Sequence, residues 1–346
     1  MLSVLKFFRS ILPEDLILKS KSLSVFEYLC FYFLSLGAKK RLLKSWDEYR
    51  NNGTVPKNIE QIIILANFRT RGEIRSQVVR NDVDSNSTSK STIFTPSIVS
   101  QSIQELNDKG YCKIGNLKGL KIFDELCGLY DSPVFAPTKY LNHPQGKNLS
   151  SSTPNPELSH IWHVNPDLVI ANSGFKAIVQ DEFWREISYQ YLKSVSKISA
   201  VRCWHSFPSS SRQFLSPENW HLDAGDGLNF LKFFILLSDV DDLSGPTAVV
   251  PLRSDQLSRK FYTGRRFSDN EINGLLNKHK INEIKATGSA GTVYAMDTRL
   301  IHRGTPVIQG KRFLLNFTVS VDNFGGNSKE NYNLKNDEAI AAYFSN

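Results

Sequence analysis

Hydrophobic and polar positions change rhythm several times along the chain. Residues 1–80 read as helices, broken at Pro13 and around residues 53–56, which predicts a helical N-terminal extension. Residues 81–92, NDVDSNSTSKST, carry no hydrophobic period, and a polar linker is expected there. Next, PSIVSQSIQELNDKG opens with Pro96 and Ser97, places apolar residues at helical spacing and stops at Gly110, a helix with both its signals. YCKIGNL follows as a short strand, and FKAIVQDEFWREISYQYLKSV, around residues 174–196, returns to helical spacing. From residue 198 the pattern is β-rich. ISAVRCWHSF, LNFLKFFILLSDV, GTVYAMD and RFLLNFTVSV are short runs separated by Gly, Pro, Asn and Asp. Helices first and antiparallel-type strands later predict an α+β domain built around a β-barrel or sandwich. The expected organisation is an extension over 1–80, a linker over 81–92, the β-rich domain over 93–325 and a tail over 326–346.

Bulk properties narrow the class. The chain has 346 residues, 40% of them hydrophobic, enough for one large core plus an accessory element. Cys30, Cys112, Cys127 and Cys203 are far apart and form no zinc-type spacing, which argues against a disulfide framework and for a reducing, cytoplasmic location. The net charge of +8 raises the local concentration of anions and hints at an anionic small-molecule substrate, although the same charge serves solubility. No block of Lys or Arg is interleaved with aromatics, so no nucleic-acid partner is expected. Residues 1–12 carry Lys6 and Arg9 inside the apolar run, with no small-residue cleavage site before Pro13, against a secretory signal. Residues 22–38 are apolar but contain Glu27 and fall short of the roughly 20 residues of a membrane span. They read as a helix packed on the main domain, or as an interfacial helix flanked by Lys39, Lys40 and Arg41 that touches a membrane surface.

The candidate chemistry lies in ENWHLDAGDGLNF. In an extended strand His221 and Asp223 point the same way and can reach one metal ion. His302, in DTRLIHRGTP, follows the strand GTVYAMD, and a barrel can bring it to the same ion. Two imidazoles and one carboxylate on one side of an ion leave three adjacent positions open, an arrangement suited to iron(II). An HxD pair alone is weak, since a chain with seven histidines can carry one as a surface ion pair. Arg312, ten residues after His302, strengthens the reading. On RFLLNFTVSV, Phe313, Leu315, Phe317, Val319 and Val321 share an apolar face, while Arg312, Leu314, Asn316 and Thr318 share the other. A guanidinium on that inward face needs an anion, and a carboxylate meets its planar fork with two hydrogen bonds. Lys232 interrupts the apolar run LNFLKFFILL and sits either on a sheet edge or beside an anion. Arg202 and His205 have opposite parity on one strand, so one of them faces the pocket. Trp220, next to His221, is a further pocket candidate. His160 and His163 have no carboxylate at metal-site spacing and are taken as pocket-lining or structural.

Residues 96–323 resemble the phytanoyl-CoA dioxygenase family of iron(II)/2-oxoglutarate oxygenases. The resemblance is carried by WHLD (220–223), by FFILLSDVDDLSGPTAVVP and by DTRLIHRGTPV with GKRFLL. It implies a double-stranded β-helix, a jelly-roll or cupin-like barrel with flanking helices. It also implies Fe(2+) at His221, Asp223 and His302, 2-oxoglutarate anchored by Arg312 with Thr305 as a secondary contact, and molecular oxygen as the second substrate; Lys232, read from its place in the apolar run, is a further candidate for the co-substrate anion. The expected reaction is hydroxylation of a C–H bond in a small-molecule or lipid-like metabolite, with release of succinate and CO2. Asp223 fills the position that a halogenase leaves vacant for chloride. The chain departs from the family after SGPTAVVP, where Leu252, Arg253 and Ser254 replace a Gly-Ser-His turn. Two other uses of such a barrel stand beside this one, a cupin-like metal hydrolase or isomerase and a small-molecule-binding barrel without turnover. Arg312 has no clear task in the hydrolase, and a pure binder need not retain all four residues.

Overall fold

The structure is a computed structural model and describes residues 91–136, 149–194, 196–209, 218–223, 229–253, 256–257, 261 and 266–320. The expected extension (1–80), the linker except its last two residues, and the tail (326–346) lie outside these residues, as does the apolar segment 22–38. Among the described residues no helix is long and apolar enough to cross a membrane.

Helix α1 (Pro96–Lys109) starts on a proline whose missing N–H is no loss at that position. It ends at Gly110, left-handed at φ 74°, whose N–H reaches Leu106 O at 2.8 Å. Strand β1 (Tyr111–Asn116), helix α2 (Lys121–Cys127), short strands β2 (Val134–Ala136), β3 (Leu149–Ser151) and β4 (Ile161–Val164), and helix α3 (Pro166–Ala171) follow. The helical rhythm over 174–196 proves to be two helices, α4 (Ser173–Gln180) and α5 (Glu182–Leu192). Between them Asp181 is extended, and its carboxylate accepts from Phe183 N at 2.9 Å as the N-cap of α5. The same carboxylate accepts from Ser91 Oγ at 2.7 Å and Thr92 N at 2.8 Å, so the end of the expected linker is already fastened to the domain.

The β-rich half supplies β5 (Lys197–Ser206), β6 (Phe230–Leu236), β7 (Thr247–Val249), helix α6 (Asp269–His279), β8 (Ile284–Ala286), β9 (Thr292–Met296), β10 (His302–Gly304) and β11 (Arg312–Ser320). They form two antiparallel sheets, ordered β1-β9-β6-β11-β5-β4-β2-β3 and β10-β7-β8. A hydrogen-bonded bridge between His221 and His302 lays the 220–221 segment along the outer edge of β10.

Alternation along β11 sorts the core into two layers. Phe313, Leu315, Phe317 and Val319 join Phe233, Ile235 and the helices, with Trp184 of α5 set edge-on to Phe233 and Phe317 at 5.1 and 5.5 Å. On the opposite face, Leu314, Phe234, Leu236, Tyr294 and Met296 cluster with Val249 and Ala286 of the small sheet. The second layer therefore lies between the sheets, and β11 is buried along its whole length because both of its faces are covered.

Candidate metal centre

Three ligand-type side chains converge where the 220–223 segment meets β10. One ligand atom each from His221, Asp223 and His302 lies within 4.8 Å of the others. His221 Nε2 is 3.6 Å from Asp223 Oδ1, and His302 Nε2 is 3.4 Å from Asp223 Oδ2. Donors bound at about 2.1 Å to one ion can be no more than about 4.2 Å apart, so both separations suit a shared ion.

Two backbone carbonyls aim the two rings. His221 Nδ1 donates to Asn219 O at 2.7 Å and His302 Nδ1 donates to Leu300 O at 2.9 Å. Each contact places the proton on Nδ1 and leaves the Nε2 lone pair for a metal. Burial, with His302 adding to it, drives the His221 pKa down to about 3, so its imidazole is neutral, the form a metal requires. Burial pushes Asp223 the other way, but the Lys232 ammonium and His302 outweigh it and hold the carboxylate well below its usual range.

A buried network behind the centre was not foreseen from the sequence. The Asp297 carboxylate accepts from Arg299 Nε and Nη2, both at 2.6 Å, and from Tyr191 Oη of α5 at 2.7 Å. Asp297 N donates to Gly110 O at 2.8 Å, so the turn after β9 is pinned at several points. This turn presents Thr298 O to Asp223 N at 2.9 Å and Leu300 O to the His302 ring. Two of the three ligand residues are thus set by carbonyls of one ion-paired turn. The available signal was a pair of opposite charges, Asp297 and Arg299, just before His302; nothing in the sequence pointed to Tyr191.

The remaining candidates are spread around this centre. Arg312, at the start of β11, is 6% exposed. Its Nη1 donates to Gly245 O and its Nη2 to Ser206 Oγ at 3.3 Å, while Nε has no hydrogen-bond partner among the described residues. Burial lowers its pKa to about 10, with Glu218 opposing, and the guanidinium stays charged at neutral pH. Thr305 donates from Oγ1 to Pro246 O at 2.7 Å and so fastens the Gly245–Pro246 turn that Arg312 contacts. Gly245 sits at φ 81°, where an added Cβ would lie 2.8 Å from Thr305 O, so this close approach requires glycine. Lys232 lies on β6, an interior strand, and its ammonium is 2.7 Å from Asp223 Oδ2. The anion beside it is a metal-ligand candidate.

The strand register places the last group. Ser206 pairs with Arg312 and Arg202 with Asn316, so Arg202 shares the inner face. His205 pairs with Phe313 on the helix-facing side, with its ring stacked on Phe313 at 4.1 Å and edge-on to Tyr130 at 5.1 Å. Trp220 turns away from His221; its Nε1 donates to Asp269 Oδ1 at 2.8 Å and the Arg303 guanidinium lies 4.4 Å above its ring. His160 contacts Glu218 at 3.4 Å, and His163 lies between Phe135 and Trp204; neither joins the metal cluster.

No family model and no curated protein matches the chain. Solved structures do. AviO1 from Streptomyces viridochromogenes Tue57 is 15% identical over 64% of this chain and 94% of its own, with a TM-score of 0.42. EctD from S. alaskensis with bound Fe is 16% identical over 66% of this chain and 79% of its own, with a TM-score of 0.46. HygX from Streptomyces hygroscopicus, with nickel and 2-oxoglutarate bound, is 11% identical over 66% and 87%, with a TM-score of 0.42. Likeness at this level assigns no activity to the chain.

Proposed function

We propose that the protein is an iron(II)- and 2-oxoglutarate-dependent oxygenase of the phytanoyl-CoA dioxygenase type, in which the two sheets form a double-stranded β-helix around the centre. The observation that carries this reading is the convergence of His221, Asp223 and His302, with both Nδ1 atoms already committed and both Nε2 atoms left for a metal. Two neutral imidazoles and one carboxylate suit a divalent iron that keeps open positions.

Arg312 supplies the second half. Among the described residues its buried guanidinium has an unbonded Nε and no carboxylate hydrogen-bond partner, so a ligand carboxylate would complete its fork. Its contact at Gly245 lies four residues from Val249, the residue paired with His302. Gly245 lies in the turn just before β7 (Thr247–Val249), so Arg312 is fastened beside the strand that pairs with His302. Within this reading His221, Asp223 and His302 hold iron, Arg312 anchors the distal carboxylate, and Thr305 keeps the Gly245–Pro246 turn in place beneath it. Arg202 lies on the same face of β5 as Ser206, the partner of Arg312, and is a further candidate contact there. When bound, iron and 2-oxoglutarate supply the oxidising chemistry that inserts one oxygen atom of dioxygen into a C–H bond while the co-substrate becomes succinate and CO2. The substrate is a small molecule of anionic character, in keeping with the +8 charge. The buried thiols of Cys112 and Cys203 fit a reducing cytoplasm. The catalytic unit falls within residues 93–325.

Anaerobic addition of iron(II) and then 2-oxoglutarate to the purified protein tests the reading. A weak visible charge-transfer band, followed by slow succinate formation on admitting oxygen, is the expected result. A metal-loaded protein that shows neither band nor succinate removes the oxygenase and leaves a metal hydrolase or a binding barrel.

A further inference from the structure

The register that joins His221 to His302 also joins their neighbours. The two histidines form an antiparallel bridge, each N–H donating to the other's carbonyl at 2.9 Å, and their rings lie 4.3 Å apart. The same register sets Trp220 opposite Arg303, and alternation turns both of these side chains to the other face. There the Arg303 guanidinium lies 4.4 Å from the centre of the Trp220 ring. One carboxylate oxygen closes the group, since Asp269 Oδ1 accepts from Trp220 Nε1 at 2.8 Å and from Arg303 Nη1 at 2.7 Å. Asp269 is the first residue of α6, fixed by the capping box of Ser268 and Glu271. Beside it, Phe267 N donates to Trp220 O at 2.8 Å.

We propose that Asp269 is a positioning residue of the metal centre, clamping Trp220 to Arg303 so that His221 and His302 stay in register. This role rests on the metal centre of the preceding reading, though not on the identity of the co-substrate. Among the described residues, the segment that carries His221 is joined to β10 by a single bridge, with one further backbone bond from Asp223 N to Thr298 O at 2.9 Å. So short a ladder specifies its register weakly, and a slip of one residue would turn the His221 ring to the opposite face, away from His302. The contact of Asp269 with both Trp220 and Arg303 forms in one register only. It therefore favours the state in which both Nε2 atoms can meet one ion. A metal binds that competent fraction, so loss of the clamp weakens the apparent affinity in proportion. Asp269 acts through the neighbours of the two histidines and contacts neither ring.

Titration of the full chain with cobalt(II) against a competing chelator tests this. Asp269→Ala is expected to bind cobalt(II) about fivefold more weakly, the equivalent of about 1 kcal/mol, which is the upper range for an exposed ion pair. The Asp269 side chain is 55% exposed, so its truncation leaves the core untouched. Asp269→Asn keeps the oxygen acceptor and should fall between Asp269→Ala and the wild type. Arg303→Met breaks the same contact from the other side and should weaken binding to a similar degree, with the double variant little worse than either single one. Ser268→Ala uncaps α6 without touching the clamp and should bind cobalt(II) as the wild type does. Equal weakening in Ser268→Ala would assign the effect to helix stability and overturn the role. So would an unchanged affinity in Asp269→Ala, with the metal centre left intact. A wild type that takes up no cobalt(II) overturns the metal centre and this role together.

Discussion

Asp297→Asn is the perturbation for which the structure gives the sharpest magnitude. The substitution keeps the shape of the side chain and removes its charge. Arg299, whose side chain is 9% exposed, then loses the carboxylate that it contacts through Nε and Nη2. Removing one partner of a buried ion pair costs about 3–5 kcal/mol, because the remaining charge is left uncompensated. In a domain of this size 1 kcal/mol shifts Tm by about 2–4 °C, so melting should fall by about 6–20 °C. Tyr191→Phe removes one hydrogen bond to the same carboxylate and should cost less, about 1.5–3 kcal/mol. Combining Asp297→Asn with Arg299→Met removes the stranded cation and should recover part of the loss. The turn also carries the carbonyls that receive Asp223 N and the His302 ring. Divalent-metal affinity, measured well below the melt, should therefore drop about 10–100-fold in Asp297→Asn. Calorimetry and metal titration together decide the matter. A Tm within about 2 °C of wild type, with metal affinity unchanged, would refute the reasoning.

Three other outcomes follow from single contacts. Arg312→Leu should weaken 2-oxoglutarate binding at least about 100-fold while metal binding changes little, with Arg312→Lys in between; loss of metal binding as well would make Arg312 structural. Gly110→Ala places a Cβ 2.8 Å from Leu300 Cδ1 at φ 74° and should lower the unfolding free energy by more than about 1 kcal/mol, and an unmoved urea midpoint counts against this. His205 is 1% exposed with neither ring nitrogen bonded among the described residues, and burial, partly opposed by Asp131, lowers its pKa from 6.5 to about 4. The unfolded chain therefore takes up this proton first, so His205 is neutral at no penalty above pH 6.5 and removes up to about 3 kcal/mol of stability as pH falls to about 4. His205→Leu should flatten that slope, and an unchanged acid limb would show that His205 is not its source.

How much of this was legible in the chain depends on the range of each signal. Local chemistry was readable. Gly110 stops α1 because the left-handed cap favours glycine, and alternation along 312–320 separates Phe313 and Phe317 from Arg312 and Asn316 without knowledge of any partner strand. The helix α6 was readable and overlooked, since Ser268 and Glu271 form a capping box visible in the sequence. Long-range pairings were not readable. The break at Asp181 depends on donors from Ser91 and Thr92, about ninety positions earlier, and helical spacing runs through it undisturbed. Tyr191 and Asp297 are similarly remote, and no period in either segment announces their contact.

Lys232 and the pair Arg202 and His205 show where the boundary falls. Parity says that Arg202 and His205 face apart, yet it cannot say which faces inward until β5 is set in register against β11 and Ser206 falls beside Arg312. One pairing then fixes both side chains. For Lys232 the sequence offered a sheet edge or an anion, and two nonlocal facts remove the edge, namely that β9 lies on one side of β6 and β11 on the other. An interior strand with a lysine on its buried face demands an acceptor within reach of a single side chain. The acceptor is Asp223, already singled out on independent grounds as a metal ligand. The residue that looked like a defect in an apolar strand and the carboxylate that looked like half of a weak motif thus explain each other. Neither was interpretable alone, because the contact that gives each its reason joins the large sheet to the segment beside the small one.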